Sequence, residues 1–481
     1  MRKFVKHRTL TDPIHDSLHL DSWCFDDIVD TPEFQRLRNI KQLSTCHYVF
    51  PSATHTRFEH SLGVAHLARM WSSRLVINNE GEHNTRRTLD MITIGGLIHD
   101  LGHGCLSHTF DSLFMKKKRP ERNWSHEEGS VLLFNKIVAD NHLDLNNQDI
   151  QMVEDIVHGR VPLNSVVTWP FEIVSNSLTS IDVDKFDYFM RDSKFLGVST
   201  LFNNPNRLIG MSSVINGRIA FEKKLSLDIS NFYHTRYSLF KQAYSHRVSK
   251  AVEHMVCDAL IEVDDLFGIS SAVDDMERFL SIDDHLISRI QWSQGDSPRL
   301  KKAKEIIHRI NTRDLYNFVA EFILPSNFFV EPQDISTHSD GQLSPDDVII
   351  SNNTLAYKSG ASDQDPFENI LFYDSNHEVL KLKFSDVSKL GPSCFKELCI
   401  QVFVRNKDNT DAAGVAFEKF LHQHGINSFK YKPKQILPRS SQLSSPRGRA
   451  SLLSPNFLNS SSDQVVMASV SQSPLAKRAR R

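Results

Sequence analysis

Apolar residues along this chain recur mostly at helical spacing. Phe34, Leu37, Ile40 and Leu43 form one stripe, behind Thr31 as a natural N-cap and Pro32 at a first helical position. Leu62, Val64, Leu67 and Ala68 line one side of a helix that His60 begins, and the run 91–98 reads as a buried helix. Ser125 can cap another helix, and Asp184, Tyr188 and Asp192 recur at i, i+4 and i+8 on one helical face. Helical spacing continues through 249–320, notably at 258–267 and 274–286. The pattern then changes. Residues 325–367 are polar and rich in Ser, Asp and Asn, which predicts a long insertion or flexible loop. Residues 371–384 and 399–405 alternate as strands do, and from Pro438 the chain is Ser-rich and poor in aromatics, the composition of disorder. The expected fold is mainly α: a helical core over 1–320, a smaller α+β C-terminal lobe over 321–432 and a disordered tail over 433–481.

At 481 residues the chain is long enough for a large core and more than one lobe. Its formal charge is -2, which by itself predicts no strong affinity for nucleic acid. The charge is uneven, however. From Lys432 onward nine Lys/Arg stand against one acid, so the tail carries about +8 and the body about -10. A polyanion partner such as single-stranded nucleic acid would meet the tail or a local patch. The six cysteines show no zinc-like spacing, which points to a reducing compartment and no disulfide framework. The N-terminus is too polar for a secretory signal, and no apolar run is as long as a membrane span, so the expectation is a soluble intracellular protein.

The candidate chemistry concentrates in 97–111, Leu-Ile-His-Asp-Leu-Gly-His-Gly-Cys-Leu-Ser-His-Thr-Phe-Asp. A buried helix delivers His99 and Asp100 side by side before Gly102 and Gly104 loosen the backbone. Imidazole beside carboxylate suits a first-row divalent metal that must keep positions open for water. His103, His108 and Asp111 follow at once, and an imidazole held by a carboxylate can pass a proton near neutral pH. A lone His-Asp pair is most often a surface pair. Three histidines and two aspartates in this apolar frame are not. Two further phrases flank them: His-Thr-Arg-Phe-Glu-His-Ser-Leu-Gly-Val at 55–64 and Ser-Ile-Asp-Val-Asp-Lys-Phe-Asp-Tyr-Phe-Met-Arg-Asp at 180–192.

A histidine, a His-Asp pair and a distant Asp in helical context make the ordered ligand set of the HD phosphohydrolases. The wording around them resembles the SAM-and-HD-domain deoxynucleoside triphosphate triphosphohydrolase family, from about residue 8 to 321 and more weakly to 432; the family's preceding SAM domain is not read here. The resemblance implies an HD-domain helical core and hydrolysis of a dNTP to deoxynucleoside and inorganic triphosphate. It assigns His60, His99, Asp100 and Asp184 to a transition metal (iron, manganese or zinc), with magnesium accompanying the nucleotide. His108 would protonate the leaving 5′-oxygen, while His103 and His126, the latter oriented by Asp111, act near the α-phosphate. Gln42 and Leu43 would touch the deoxyribose. Arg57, Lys185, Tyr188 and Arg236 would neutralise the triphosphate, Asp192 shares their face, and Tyr244 would exclude a 2′-hydroxyl. Asp182 is read as a support for the fold. The basic run 116–119 is read as a solvated loop.

The same resemblance places a GTP activator at Arg8, Asp30, Gln35 and Arg38. It places a second activator nucleotide near Val49, Phe50 and Lys224, and has His246 and Arg247 face an activator nucleotide. Two family arginines of that second site fall on Ser213 and Glu222 here, and a Glu beside a triphosphate repels it. Activator sites between subunits imply a homo-oligomer, a tetramer assembled by nucleotide. The basic cluster at 477–481 predicts a nuclear protein, with a cytoplasmic share, and Ser445, Ser454 and Ser473 precede prolines as candidate phosphosites. Two rival readings stand beside the dNTPase: an HD phosphohydrolase acting on another nucleotide, and a nucleic-acid-binding or nucleotide-sensing regulator without turnover.

Overall fold

The computed structural model describes residues 7–77, 85–324, 328–360, 363–427 and 429–432. The tail and its candidate import and phosphorylation signals lie outside the described residues. The chain forms two compact units: one from residues up to Tyr316 together with Asn353–Leu398, the other from Asn317–Asn352 and the described residues from Cys399 on.

The first unit opens with an antiparallel hairpin, β1 (His7–Asp12) and β2 (Asp16–Asp21), in which Asp12 faces Asp16 across the turn. Thr31 caps a short helix at Pro32–Gln35 as expected, its hydroxyl accepting from Phe34 N. The stripe to Leu43 does not continue as one helix. Arg36–Asn39 tightens to a 3₁₀ turn and Ile40 is extended, because Lys41 pairs with Thr56 in a bridge that feeds the next helix. That helix, α1 (Arg57–Ile77), starts three residues before His60, with the Glu59 carboxylate accepting from Thr56 N at 2.6 Å. The segment 91–98 is helical as expected, within α2 (Arg86–Ile98), which Thr85 caps. α1 and α2 cross closely at Gly96, where a Cβ would stand 2.9 Å from the Ala65 Cα.

α3 (His126–Asp140) begins at the Ser125 cap, α4 (Asn147–His158) at a capping box from Asn146, and α5 (Val183–Leu196) at Asp182. Gly159 and Gly197 end α4 and α5 with positive φ of 61° and 70°, the usual left-handed stop. β3 (Ser212–Ile215), β4 (Arg218–Glu222), α6 (Ser226–Leu239) and α7 (Arg247–Phe267) follow. Expected helicity over 274–286 is broken into turns at Ser270–Asp274 and Met276–Phe279, and α8 (His285–Trp292) starts late, before α9 (Pro298–Asn311). The run 116–119 is no free loop: Lys117, Lys118 and Arg119 meet Asp258, Asp264 and Asp274.

β5 (Asn317–Leu324) starts the second unit. The expected long loop at 325–367 contains a helix at Pro332–Thr337 and the strand β6 (Val348–Ala356). Its polar composition hid Val348, Ile349, Leu355 and Ala356, which are buried. The chain then returns to the first unit, which the expected boundary at 320 did not foresee. β7 (Leu371–Tyr373) pairs parallel with β4, and β8 (Val379–Leu380) completes a sheet of order β3-β4-β7-β8. β9 (Lys396–Val404) lies between β5 and β6, and α10 (Thr410–Gln423) follows it. No described helix is long and apolar enough to cross a membrane.

Candidate active site

The start of α1, the end of α2 and the start of α5 bring four donor atoms round one point. The fully buried His60 has its Nε2 3.3 Å from His99 Nε2, 3.4 Å from Asp100 Oδ2 and 3.2 Å from Asp184 Oδ1. His99 Nε2 lies 3.4 Å from Asp100 Oδ2 and 3.6 Å from Asp184 Oδ1. Ligands about 2.1 Å from one ion stand roughly 3 to 3.5 Å from one another, so His60, His99 and Asp184 are spaced to hold a first-row divalent cation, with Asp100 Oδ2 3.4 Å from both imidazole nitrogens and shared with Arg57. Both Nδ1 atoms are engaged elsewhere: that of His60 donates to Asp187 Oδ2 at 2.7 Å and that of His99 to the Gly96 carbonyl at 2.9 Å. Each ring therefore turns an Nε2 lone pair inward. Burial opposes a charge on His60, yet hydrogen bonds with Asp184 and Asp187 outweigh it and carry its pKa up to about 10. Burial also works against the Asp184 carboxylate, but bonds with His60 and His99 and the Lys185 charge hold it below the usual range. A field that so favours a proton on imidazole favours a divalent cation in its place.

His103, His108, Asp111 and His126 form a second cluster beside it. His126 Nδ1 donates to Asp111 Oδ2 at 2.9 Å, and the ring stacks on His103 with centroids 4.0 Å apart and planes 11° apart. The exposed His108 meets both rings edge-on, at 4.8 and 5.1 Å, with its Nδ1 3.6 Å from Asp111 Oδ2. These ligand atoms lie close enough to invite a second metal. Stacked parallel rings, however, direct their lone pairs along parallel planes, which do not converge on one ion. Burial lowers the His126 pKa, but Asp111 more than reverses this and brings it to about 9. Burial and the charges of Arg57 and His126 hold His103 well below the ordinary imidazole range. A protonated ring stacked on a neutral one can hold and steer a proton at neutral pH.

The loop joining these groups is strained. Leu106 and Ser107 both have positive φ, at 58° and 53°, a conformation that costs of order 1–3 kcal/mol per non-glycine residue. Asp284 accepts from Leu106 N at 2.7 Å and from Lys41 N at 3.0 Å, and Ser107 Oγ contacts Arg57 Nε and the Lys41 carbonyl. Arg36, buried, donates to the carbonyls of Leu101, His103 and Ile282. Gly102 is required where this loop crosses α3, since a Cβ would stand 2.1 Å from the His126 carbonyl.

The residues expected around the nucleotide are placed as follows. Arg57 donates to Asp100 Oδ2 at 2.7 Å and to the Gln42 carbonyl at 3.2 Å, so its guanidinium joins the metal centre directly. Gln42 is buried with its Oε1 unpartnered, and Leu43 is half-buried. The Lys185 ammonium sits 2.9 Å from Asp182 and 3.9 Å from Asp184. Asp182 caps α5, the supporting role expected of it. Asp192 is gripped from two sides, by Tyr244 Oη at 2.5 Å and His55 Nε2 at 2.8 Å, and Tyr188 lies beside Tyr244 with centroids 6.5 Å apart. Arg236 donates to the Ala356 carbonyl and covers the Phe240 ring.

The expected activator residues make their own groups. Arg8 reaches Asp26 at 2.6 Å and Asp30 at 3.2 Å; Gln35 donates to the Val29 carbonyl and accepts from Arg38 at 2.8 Å. The Phe50 ring meets His246 edge-on at 5.9 Å, next to half-buried Val49, and Arg247 opens α7. Lys224 is 2.7 Å from Glu222. Sequence reasoning gave no role to Asp187, Arg191, His15, Arg36 or Asp284. The i, i+4 spacing of Asp187 and Arg191 was the available signal for the first two; nothing local marked the others.

The HD domain family matches residues 57–188, a stretch holding all four donor residues and the stacked histidines. A deoxynucleoside triphosphate triphosphohydrolase SAMHD1 homolog of Dictyostelium discoideum is 35% identical over 443 residues, covering 90% of this chain and 84% of that protein. The deoxynucleoside triphosphate triphosphohydrolases SAMHD1 of Danio rerio and Homo sapiens are each 33% identical, over 89% and 83% of this chain and 75% and 71% of their own lengths. Likeness at that level across both the donor-bearing helices and the returning C-terminal segment makes this chain an HD-domain hydrolase that belongs to the deoxynucleoside triphosphate triphosphohydrolase family.

Proposed function

We propose that the chain hydrolyses deoxynucleoside triphosphates at the α-phosphate, giving deoxynucleoside and inorganic triphosphate, and so limits dNTP pools. The observation that carries this reading is the pairing of a His60, His99 and Asp184 donor cluster, with Asp100 beside it, with a separate, carboxylate-tuned histidine stack. His60, His99, Asp100 and Asp184 would hold iron, manganese or zinc, which supplies an acidified water and charge compensation at a phosphoryl oxygen. Water attacks the α-phosphorus and gives up a proton to solvent, the bond to the 5′-oxygen breaks, and His108 gives that oxygen its proton. His126, protonated against Asp111, and neutral His103 orient the α-phosphate. Arg57, Lys185, Tyr188 and Arg236 compensate the triphosphate charge, which carries magnesium, because phosphoryl transfer rests on such compensation. Tyr244, fixed by Asp192, walls the sugar.

GTP binding at Arg8, Asp30, Gln35 and Arg38 would activate the enzyme, in a homotetramer that nucleotide assembles. The Glu222–Lys224 pair supports a second activator site weakened in this chain. Nuclear residence, from the basic chain end, belongs to the same proposal. The test is to incubate protein with each dNTP, with and without GTP, in manganese or magnesium, and to separate products by ion exchange beside Asp184→Ala. Deoxynucleoside with intact triphosphate, dependent on GTP and absent in the variant, is expected. Activity without GTP would remove the regulation, and nucleotide binding without turnover would replace the enzyme by a sensor.

A further inference from the structure

Asp187, one turn beyond Asp184 on α5, is a fully buried carboxylate whose four acceptor positions are all filled. Oδ2 accepts from His60 Nδ1 at 2.7 Å and Arg191 Nε at 2.8 Å, while Oδ1 accepts from His15 Nε2 at 2.7 Å and Arg191 Nη2 at 2.9 Å. Arg191, also fully buried, spends its remaining Nη1 on Asp12 Oδ2 at 2.9 Å. The other Asp12 oxygen accepts from the amides of Ile14 and His15, at 2.8 and 3.0 Å. Asp12 and His15 sit at the tip of the β1–β2 hairpin. α1 leaves room for all this only because residue 63 is glycine: a Cβ there would lie 2.0 Å from Asp187 Oδ1 and 2.7 Å from Arg191 Nη2.

We propose that Asp187 is a positioning residue of the metal centre, and that through His15 it couples metal occupancy to docking of the N-terminal hairpin. Asp187 holds the His60 hydrogen on Nδ1 and so turns the Nε2 lone pair toward His99, Asp100 and Asp184. The hairpin tip supplies one of the hydrogen bonds that keep Asp187 in that pose. The two events therefore share one carboxylate, and by linkage each favours the other by the same factor. The inference rests on the metal-centre part of the proposed function and on none of its substrate chemistry.

The test uses the full chain stripped of metal and titrated with Mn²⁺, as wild type, Asp187→Asn and His15→Ala. Manganese affinity is read by EPR, and amide exchange of residues 7–21 by mass spectrometry. Loss of such an outer partner typically weakens metal binding by about 10- to 100-fold; Asp187→Asn should fall in that range and His15→Ala between it and wild type. Manganese should slow exchange in the wild-type hairpin and leave it unchanged in Asp187→Asn. Wild-type manganese affinity in both variants, or a wild-type hairpin indifferent to manganese, overturns the proposal. Should Asp187→Asn fail to fold, His15→Ala, which keeps three of the four bonds on Asp187, carries the same two readings. dNTP turnover is scored apart: linkage in a wild-type protein that hydrolyses no dNTP would sink the proposed function and leave this inference standing.

Discussion

Arg36→Met should loosen the His-Asp loop without changing any of the side chains that cluster at His60, His99, Asp100 and Asp184. The guanidinium is buried without a carboxylate partner of its own; it donates to the carbonyls of Ile282 at 2.8 Å, Leu101 at 2.7 Å and His103 at 2.8 Å, and lies 4.8 Å from the Phe279 ring. Hydrogen bonds to charged groups contribute about 1.5–3 kcal/mol each after their exchange with water. The three share one guanidinium whose pKa burial pushes down from 12.5 to about 10, so they stand at the low end of that range, and their joint loss should cost about 3 kcal/mol or more, since Met fills the space of the stem without a donor. Because the protein has two units, whole-chain melting is a poor gauge. Hydrogen exchange of a peptide spanning 97–111 is the direct assay, and a loss of about 3 kcal/mol in opening free energy is roughly a 100-fold fall in protection. Arg36→Lys, whose ammonium lacks the planar fork, should fall between. Unchanged or increased protection in Arg36→Met would refute the reasoning, since the desolvation relief would then equal or exceed what the three bonds supply.

The stacked histidines give a pH signature. His126 is raised from 6.5 to about 9, so its pairing with Asp111 stabilises fully below 6.5 and is lost as pH rises through 9; Asp111 is depressed, so its share is lost only in acid. The stability gap between wild type and Asp111→Asn should thus be widest near pH 6 and close above about pH 9; a gap constant with pH would contradict the pairing. Gly102→Ala should force the loop off α3 and destabilise by about 1–3 kcal/mol or more, with a matching loss of protection at 126–130. Removing divalent metal with a chelator should lower the hydrogen-exchange protection of 97–111, and manganese at about 100 times its dissociation constant should restore roughly 2.7 kcal/mol of it; Asp184→Ala should show no such response.

The donor cluster was legible because its chemistry is written in short phrases. His99 and Asp100 are adjacent, Asp184 stands in a run of acids on a helical face, and caps at Thr31 and Ser125 announced helix starts that the structure contains. Where the reading failed, a distant partner had overridden a local pattern. The stripe from Phe34 to Leu43 breaks because Lys41 must meet Thr56, and the polar segment after 325 folds because its few apolar residues find a sheet.

The same division runs through the site itself. The atoms that would touch a metal come from short motifs, but those that aim them come from far away: His15 is 172 residues from Asp187, and Arg36 is 246 from Ile282. Single side chains in helices and turns that look ordinary carry this aiming, so nothing periodic marks them. The glycines record them indirectly. Gly63 is empty of a Cβ because Asp187 and Arg191 occupy that space, and Gly102 because the His126 backbone does. A chain keeping His60, His99, Asp100 and Asp184 but carrying alanine at 63 would retain the full ligand signature and lose the carboxylate that orients it. A metal-affinity measurement on Gly63→Ala would therefore separate possession of the motif from possession of the site.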